Sequence, residues 1–253
     1  MLSSVDFYFF SPTGGTKKAG DIFCRGIAQR VQAVDLTIPK NIVSEPQSDV
    51  VVFAAPVFAG RIPAIAAKRF SKINGNGKKA ITIAVYGMRA YDDALLELND
   101  LVGSLGFEIV ASGAFIAQHS VVKEVGSGRP NSNDEFAIRA FARKVFDKIN
   151  SNALTPVEVP GNRPYREGMN LPVSPISLMN CSQCGFCTFS CPTQAIQKTV
   201  SGINTNTSTC ILCMACVKSC PMRARTIPTE LQDSMNQKLL ALKDVHIENQ
   251  FFL

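Results

Sequence analysis

Eight of the nine cysteines fall into two copies of one pattern, C-x2-C-x2-C-x3-C-P. Cys181, Cys184, Cys187 and Cys191 make the first copy, closed by Pro192. Cys210, Cys213, Cys216 and Cys220 make the second, closed by Pro221. Each cysteine and proline of the second copy lies 29 residues beyond its counterpart. Two-residue spacers let three thiolates wrap one corner of a compact inorganic core, while a distant fourth closes the far corner. Zinc sites typically use two C-x2-4-C pairs per metal, often with histidine; here the cysteines come in triplets with a far fourth, and no histidine is nearby in sequence. A disulfide framework suits a small secreted domain. This chain has 253 residues and opens without a basic n-region or a cleavage site.

That length gives room for one full domain and a smaller one, and a hydrophobic content of 46% supports a packed core. No apolar run approaches the length needed to span a bilayer. The start of the chain passes directly into the apolar run Val5-Asp6-Phe7-Tyr8-Phe9-Phe10. A cytoplasmic protein with no membrane association is expected.

Residues 1–150 alternate short apolar runs with amphipathic stretches. Strands are expected over 5–10, 31–36, 49–55, 80–86 and 108–116, with helices over 16–30, 63–74, 91–104 and 133–149. The runs 49–55 and 80–86 are nearly continuous in apolar residues, as parallel strands covered on both faces are. Five β/α units imply a doubly wound open sheet, with ligands at the carboxyl ends of the strands. Ser132-x-x-Glu135 has the form of a capping box for the last helix. Residues 151–175, with Pro156, Pro160, Pro164, Pro172 and Pro175, read as a stiff extended connector. A cysteine module fills 176–228. In the tail, 229–253, Thr229-x-x-Gln232 suggests a helix whose Leu231, Met235, Leu239 and Leu242 share a face and pack on the chain's own domains.

The first strand runs into Ser11-Pro12-Thr13-Gly14-Gly15-Thr16 and then a helix. Such a turn offers backbone N–H groups and hydroxyls to an anion. It lacks the G-K-[ST] ending of a nucleotide P-loop and is not G-x-G-x-x-G. Two more loops follow the third and fourth strands: Pro56-Val57-Phe58-Ala59-Gly60-Arg61 and Tyr86-Gly87-Met88-Arg89-Ala90-Tyr91-Asp92. Cys24 reads as a small buried apolar residue, and Asp92 and Asp93 as acids favoured where a helix opens.

The doubled cysteine run is that of bacterial two-cluster ferredoxins, in which the fourth cysteine of each run ligates the other cluster. The resemblance implies one [4Fe–4S] cluster on Cys181, Cys184, Cys187 and Cys220, and a second on Cys210, Cys213, Cys216 and Cys191. S-x-T-G-x-T after a first strand resembles the phosphate loop of flavodoxins. Taken whole, the chain resembles the flavodoxin–ferredoxin fusion proteins of anaerobic bacteria and archaea. The likeness extends to the stretches 86–95 and 114–120 and to Gly128-Arg129-Pro130. It implies an α/β flavodoxin-like doubly wound five-stranded parallel sheet, order 2-1-3-4-5, joined to a smaller α+β ferredoxin-like domain, and FMN beside the two clusters. The phosphate would sit on Ser11, Thr13, Gly14, Gly15 and Thr16. The isoalloxazine would lie between the other two loops, with Phe58 and Tyr91 as candidates for stacking or, alternatively, for the core. Gly60 would let a peptide approach flavin N5, and Arg61 or Arg89 would offset charge on reduced flavin or else form solvated surface. Pro56, Ala59, Tyr86, Gly87, Met88 and Asp92 complete the expected FMN loops. Two departures stand out: Gly15 where flavodoxins commonly have Asn, and Met214 where ferredoxin runs commonly have Gly.

The charge balance agrees with clusters. Residues 179–228 carry Lys198, Lys218, Arg223 and Arg225 and no Asp or Glu, a sum of +4. Two oxidised [4Fe–4S](Cys)4 centres add about −4. The basic residues therefore offset clusters, and nucleic acid is not expected as a partner. His119, at the end of the fifth strand, is a candidate proton donor or a loop histidine satisfied by hydrogen bonds. The expected function is electron transfer from a redox partner (a ferredoxin or a larger oxidoreductase) through the clusters to FMN and on to a small acceptor. The alternative is a pure carrier that docks to a larger enzyme. No nicotinamide fingerprint is present, and a homodimer is left open.

Overall fold

The structure is a computed structural model, described for residues 1–39, 45–151, 155–168 and 171–253. The alternating first half folds as the periodicity requires: β1 (Leu2–Phe9), α1 (Gly15–Ile27), β2 (Ala28–Asp35), β3 (Val50–Pro56), α2 (Ala64–Phe70), β4 (Lys79–Tyr86), α3 (Ala94–Ser104), β5 (Glu108–Ile116) and α4 (Ser132–Ser151). The cysteine region follows as β6 (Ile176–Ser177), α5 (Phe186–Phe189), β7 (Ile196–Thr199), β8 (Gly202–Thr205), α6 (Ala215–Lys218) and β9 (Arg225–Thr226). The tail is α7 (Thr229–Leu239), a 3-10 turn, and β10 (Gln250–Phe252).

The five parallel strands stand in the order 2-1-3-4-5, the flavodoxin-like doubly wound order, with its switch point between β1 and β3. A sixth strand adds to the expected five: β10 pairs antiparallel with β5 at the sheet edge, Phe251 opposite Gly113. Its three residues are too few to show a periodicity of their own, so only the pairing reveals it.

Why β3 and β4 are nearly continuous in apolar residues is visible in how the central strands divide. Along β1, β3 and β4, Phe7, Val52 and Ile83 face one core with Phe23 of α1 and Phe141 of α4. Their neighbours Tyr8, Val51 and Phe53 face a second core with Phe70 of α2 and Leu98 of α3. Two-residue alternation thus serves two layers at once. The first helix ends at Ile27, three residues before the periodicity suggested, because β2 begins at once and Ala28 N–H caps it on Cys24 O. At α4 the reciprocal cap lies one residue upstream of the expected box. Asn131 Oδ1 accepts from Asp134 N–H (3.1 Å), and Asp134 Oδ2 accepts from Asn131 N–H (2.8 Å). Glu135 pairs instead with Arg139.

The proline-rich connector lies along α3. Asp93 accepts the N–H groups of Asn162 (2.8 Å) and Arg166 (2.7 Å), Arg163 forks onto Asp100, and Val159 packs in the third core cluster. The acids at the start of α3 therefore anchor the connector. Connector residues 152–154 and 169–170 lie outside the described residues. The tail binds as its apolar stripe predicts: Met235, Leu239 and Leu242 join the cluster of Tyr86, Leu95 and Ile116. Both ends of the cysteine module are thus fastened to the α/β domain. Among the described residues, no helix is long and apolar enough to cross a membrane.

Candidate functional site

The turn after β1 is built to present N–H groups. Gly14 N–H donates to Ser11 O (3.2 Å), Lys17 N–H donates to Ser11 Oγ (2.9 Å), and Ser11 N–H donates to Thr37 Oγ1 (2.7 Å). Gly14 stands at φ +86°, a left-handed conformation that glycine adopts without strain. Thr13, Gly15 and Thr16 N–H have no hydrogen-bond partner among the described residues, and the last two open a 13-residue helix, where an anion is favoured. A Cβ on Gly15 would come within 3.2 Å of Ala117 Cβ. Ala117, just past β5, leaves little room for a side chain at this position.

This turn forms one wall of a cavity of about 940 Å³. Thr13, Gly14, Gly15, Gln118, His119 and Ser120 line it from the α/β domain; Met214, Val217, Lys218, Cys220 and Arg223 line it from the cysteine module. An adjoining cavity is lined by Val57, Phe58 and Ala59 on one side, and by Leu212, Met214 and Leu231 on the other. His119 and Met214 border both cavities. The combined space is ample for a mononucleotide, and it sits at the switch point where doubly wound sheets bind ligands.

Hydrogen bonds fix the state of His119. Its Nδ1 accepts from Val121 N–H (3.2 Å) and Val122 N–H (3.0 Å), so a neutral ring carries its proton on Nε2. Burial holds its pKa below the ordinary histidine value. Gly87 lies directly against it: a Cβ there would stand 2.6 Å from His119 Cδ2.

The other expected residues divide. Phe58 is half-exposed at the seam, and the bridge between Phe58 and Arg61 closes a tight turn whose Ala59 (φ +52°) and Gly60 (φ +85°) are both left-handed. Gly60 faces Asp92 and Arg166. Tyr91 belongs to the core: it is 7% exposed, packs edge-on to Tyr86 at 5.4 Å and bonds Gln250 of β10. Burial pushes its hydroxyl up to about 12, and it lines neither cavity. Arg61 forks onto Glu97 (2.7 Å for both bonds) beneath Tyr165, and Arg89 pairs with Asp92. Neither arginine borders the two cavities described; Arg61 faces a third, beside Phe58 and Cys210. Pro56 ends β3 in the core, and Met88 is buried beside Gly126.

The two cysteine runs fold as a repeat. α5 and α6 correspond by the 29-residue offset. Ala195 N–H donates to Cys191 Sγ (3.3 Å) as Ala224 N–H does to Cys220 Sγ (3.2 Å), and Ser190 Oγ meets Ser219 Oγ at 2.8 Å on the seam between the copies. Cys181, Cys184, Cys187 and Cys220 line a single small cavity. Cys213 feels the charges of Cys216, Cys191 and Cys210. In that cavity three cysteines of one run thus meet the fourth of the other. Among the described residues no three such side chains converge on one metal ion; thiols arrayed around a cavity fit a larger core of several iron and sulfide ions. Burial pushes Cys213 up to about 12 and raises Cys187, Cys210 and Cys216, with Arg225 pulling the last three back. Met214, at φ +63°, takes the left-handed place that Gly185 (φ +79°) holds in the first copy. It keeps its side chain there as a wall between cavity and module.

Some functional positions carry no local sequence signal. Arg69 of α2 donates to Leu36 O (2.7 Å), Thr37 O (2.6 Å) and Pro192 O (2.6 Å), tying the α/β domain to the residue after Cys191. Lys218 Nζ lies 3.9 Å from where a Cβ on Gly14 would stand.

Fold and site together define a flavodoxin-like α/β domain carrying a small ferredoxin-type region. Residues 180–225 match the family described as a 4Fe-4S dicluster domain. Among curated proteins there is no match. Solved structures similar to the chain include a flavodoxin from the domain Archaea (13% identity, covering 58% of this chain and 99% of that one, TM-score 0.45). Another is Flavodoxin 1 from Bacillus cereus (16%, 57% and 98%, 0.43). A third is rubredoxin oxygen:oxidoreductase from Desulfovibrio gigas (14%, 60% and 37%, 0.43).

Proposed function

We propose that the protein is an electron-transfer flavo-iron-sulfur protein that takes low-potential electrons from a redox partner and delivers them to a small acceptor. In this reading Cys181, Cys184, Cys187 and Cys220 hold one [4Fe–4S] cluster and Cys210, Cys213, Cys216 and Cys191 the other, with FMN on the turn 11–16. When bound, the clusters supply single-electron transfer and the flavin exchange between one- and two-electron chemistry. The observation that carries the reading is the shared cavity, whose walls hold both the anion-binding turn and the cluster ligand Cys220. The free N–H groups of Thr13, Gly15 and Thr16 would hold the phosphate. Lys218 adds positive charge from the module side. Neutral His119 holds a proton on Nε2 at the seam of the two cavities. The room beside that histidine supports a reductase of a small acceptor over a pure carrier.

Anaerobic purification with iron, sulfide and flavin counts tests this directly. About eight irons and one FMN per chain are expected, with stepwise bleaching on reduction and reduced-cluster signals by EPR. Colourless protein, or zinc in place of iron with no flavin, would overturn it. Reoxidation of the reduced protein by a small quinone without any partner separates reductase from carrier.

A further inference from the structure

At one buried position the 29-residue repeat exchanges an apolar residue for a charge. Ile196 follows the first run and packs, 6% exposed, among Cys187, Cys191 and Cys216. Its counterpart after the second run is Arg225, 3% exposed. A guanidinium so deeply buried is costly unless it is paired with an anion and hydrogen-bonded. Three of its hydrogen bonds are neutral: Nη1–H donates to Ser177 Oγ (3.0 Å), and Nη2–H donates to Pro175 O (2.7 Å) and to Thr205 Oγ1 (2.7 Å). No carboxylate pairs with it among the described residues, and residues 179–228 contain none. Its Nε–H is the single buried side-chain polar atom without a partner among the described residues.

Sulfur lies beside it as well: Nη2 is 4.0 Å from Cys216 Sγ, and Arg225 borders the cavity lined by Cys181, Cys184, Cys187 and Cys220. One cation therefore adjoins both cysteine sets. We propose that Arg225 is a shared internal counter-charge for the two clusters, raising the reduction potential of both by stabilising the electron that each gains. The inference rests on the cluster assignment above. It accounts for the missing anion and the orphaned donor together: thiolate and sulfide supply negative charge and acceptors that the polypeptide does not. Reduction makes a cluster more negative by one charge, so a fixed neighbouring cation favours the reduced form. In a dry site that preference is screened little by water.

The test is an anaerobic redox titration of the full chain, followed by EPR, on Arg225→Ile, Arg225→Gln and Arg225→Lys. The isoleucine variant copies the first run's residue, and iron content gates each titration. At a fixed solution potential, the reduced-to-oxidised ratio of both clusters should fall at least tenfold in the Ile and Gln variants. For a one-electron couple that is a midpoint lower by about 59 mV or more. Lys, which keeps the charge, should recover most of the loss. Unchanged midpoints in an iron-replete Ile or Gln variant would overturn the proposal, as would a Lys variant that falls as far as they do. Loss of iron from all three, Lys included, would also overturn it by making the residue purely structural. Wild-type protein without iron would instead end the cluster assignment itself.

Discussion

The α/β domain and the cysteine module stabilise themselves by different means. The domain buries Phe7, Phe23, Phe53, Phe70 and Phe115 to less than 2% exposure in two layers around a six-stranded sheet. The module has two helices of four residues, two-stranded ribbons, and a core cluster made largely of cysteines with Ala195 and Ile196. Exposed Phe186 and Phe189 contribute little to it. So small a core falls short of what an independent fold usually needs, and metal ligation is the usual supplement. One region is organised by hydrophobic burial and the other by its ligands, and each end of the second is bolted to the first.

If that contrast is right, removing iron should have the largest effect. Chelation, or Cys213→Ala, should abolish hydrogen-exchange protection across 176–228 while the strands of the α/β domain keep theirs. Protection persisting in the module without iron would erase the distinction. A smaller effect in the opposite compartment is expected from Phe53→Ala, which cuts into the core of Phe70 and Phe107. It should cost about 3–5 kcal/mol in denaturant unfolding of the α/β domain and leave the cluster spectrum at low denaturant unchanged. Lys218→Ala probes where the regions meet. The lysine is exposed, so an FMN dissociation constant raised only about twofold to fivefold is expected, from roughly 0.5–1 kcal/mol, with iron content intact.

The smallest effect concerns the tail's attachment. Burial pushes Asp134 up, but its bonds from Arg129, Asn131 N–H and Asn249 outweigh this and hold it below the usual carboxylate value. A lowered folded value means stability that is present above the unfolded value, about 3.9, and lost as pH falls through the folded one. Asp134→Asn should therefore melt earlier than the parent at pH 6–7. The gap in Tm should close as pH is lowered past the carboxylate range; a gap constant with pH would assign the loss to packing alone.

Much of this was legible from residues read in order. The doubled cysteine spacing, the apolar runs at 49–55 and 80–86 and the turn 11–16 each announce themselves within a few residues, because they depend on local geometry and period. The connector's stiffness shows in its prolines, but its course does not: the Asp93 and Asp100 that receive it lie 69 and 63 residues upstream of their partners. For Tyr91 the sequence left stacking and core both open, and what places it beside Tyr86 and Gln250 is contact with a strand 159 residues away. Arg225 did leave a trace, as the one charged residue set against Ile196 when the repeats are aligned.

Spacing and alternation along the chain alone determined two things: a layered parallel sheet, and eight cysteines arranged for inorganic cores. Only the tertiary structure decided that β10 completes the sheet and that Lys218 reaches the turn 11–16. It alone decided that the turn and Cys220 line one cavity, and that a single buried guanidinium lies beside both cysteine sets. The reason is physical. Periodicity records which side of an element faces inward, whereas the partner met there is fixed by how separately folded elements pack.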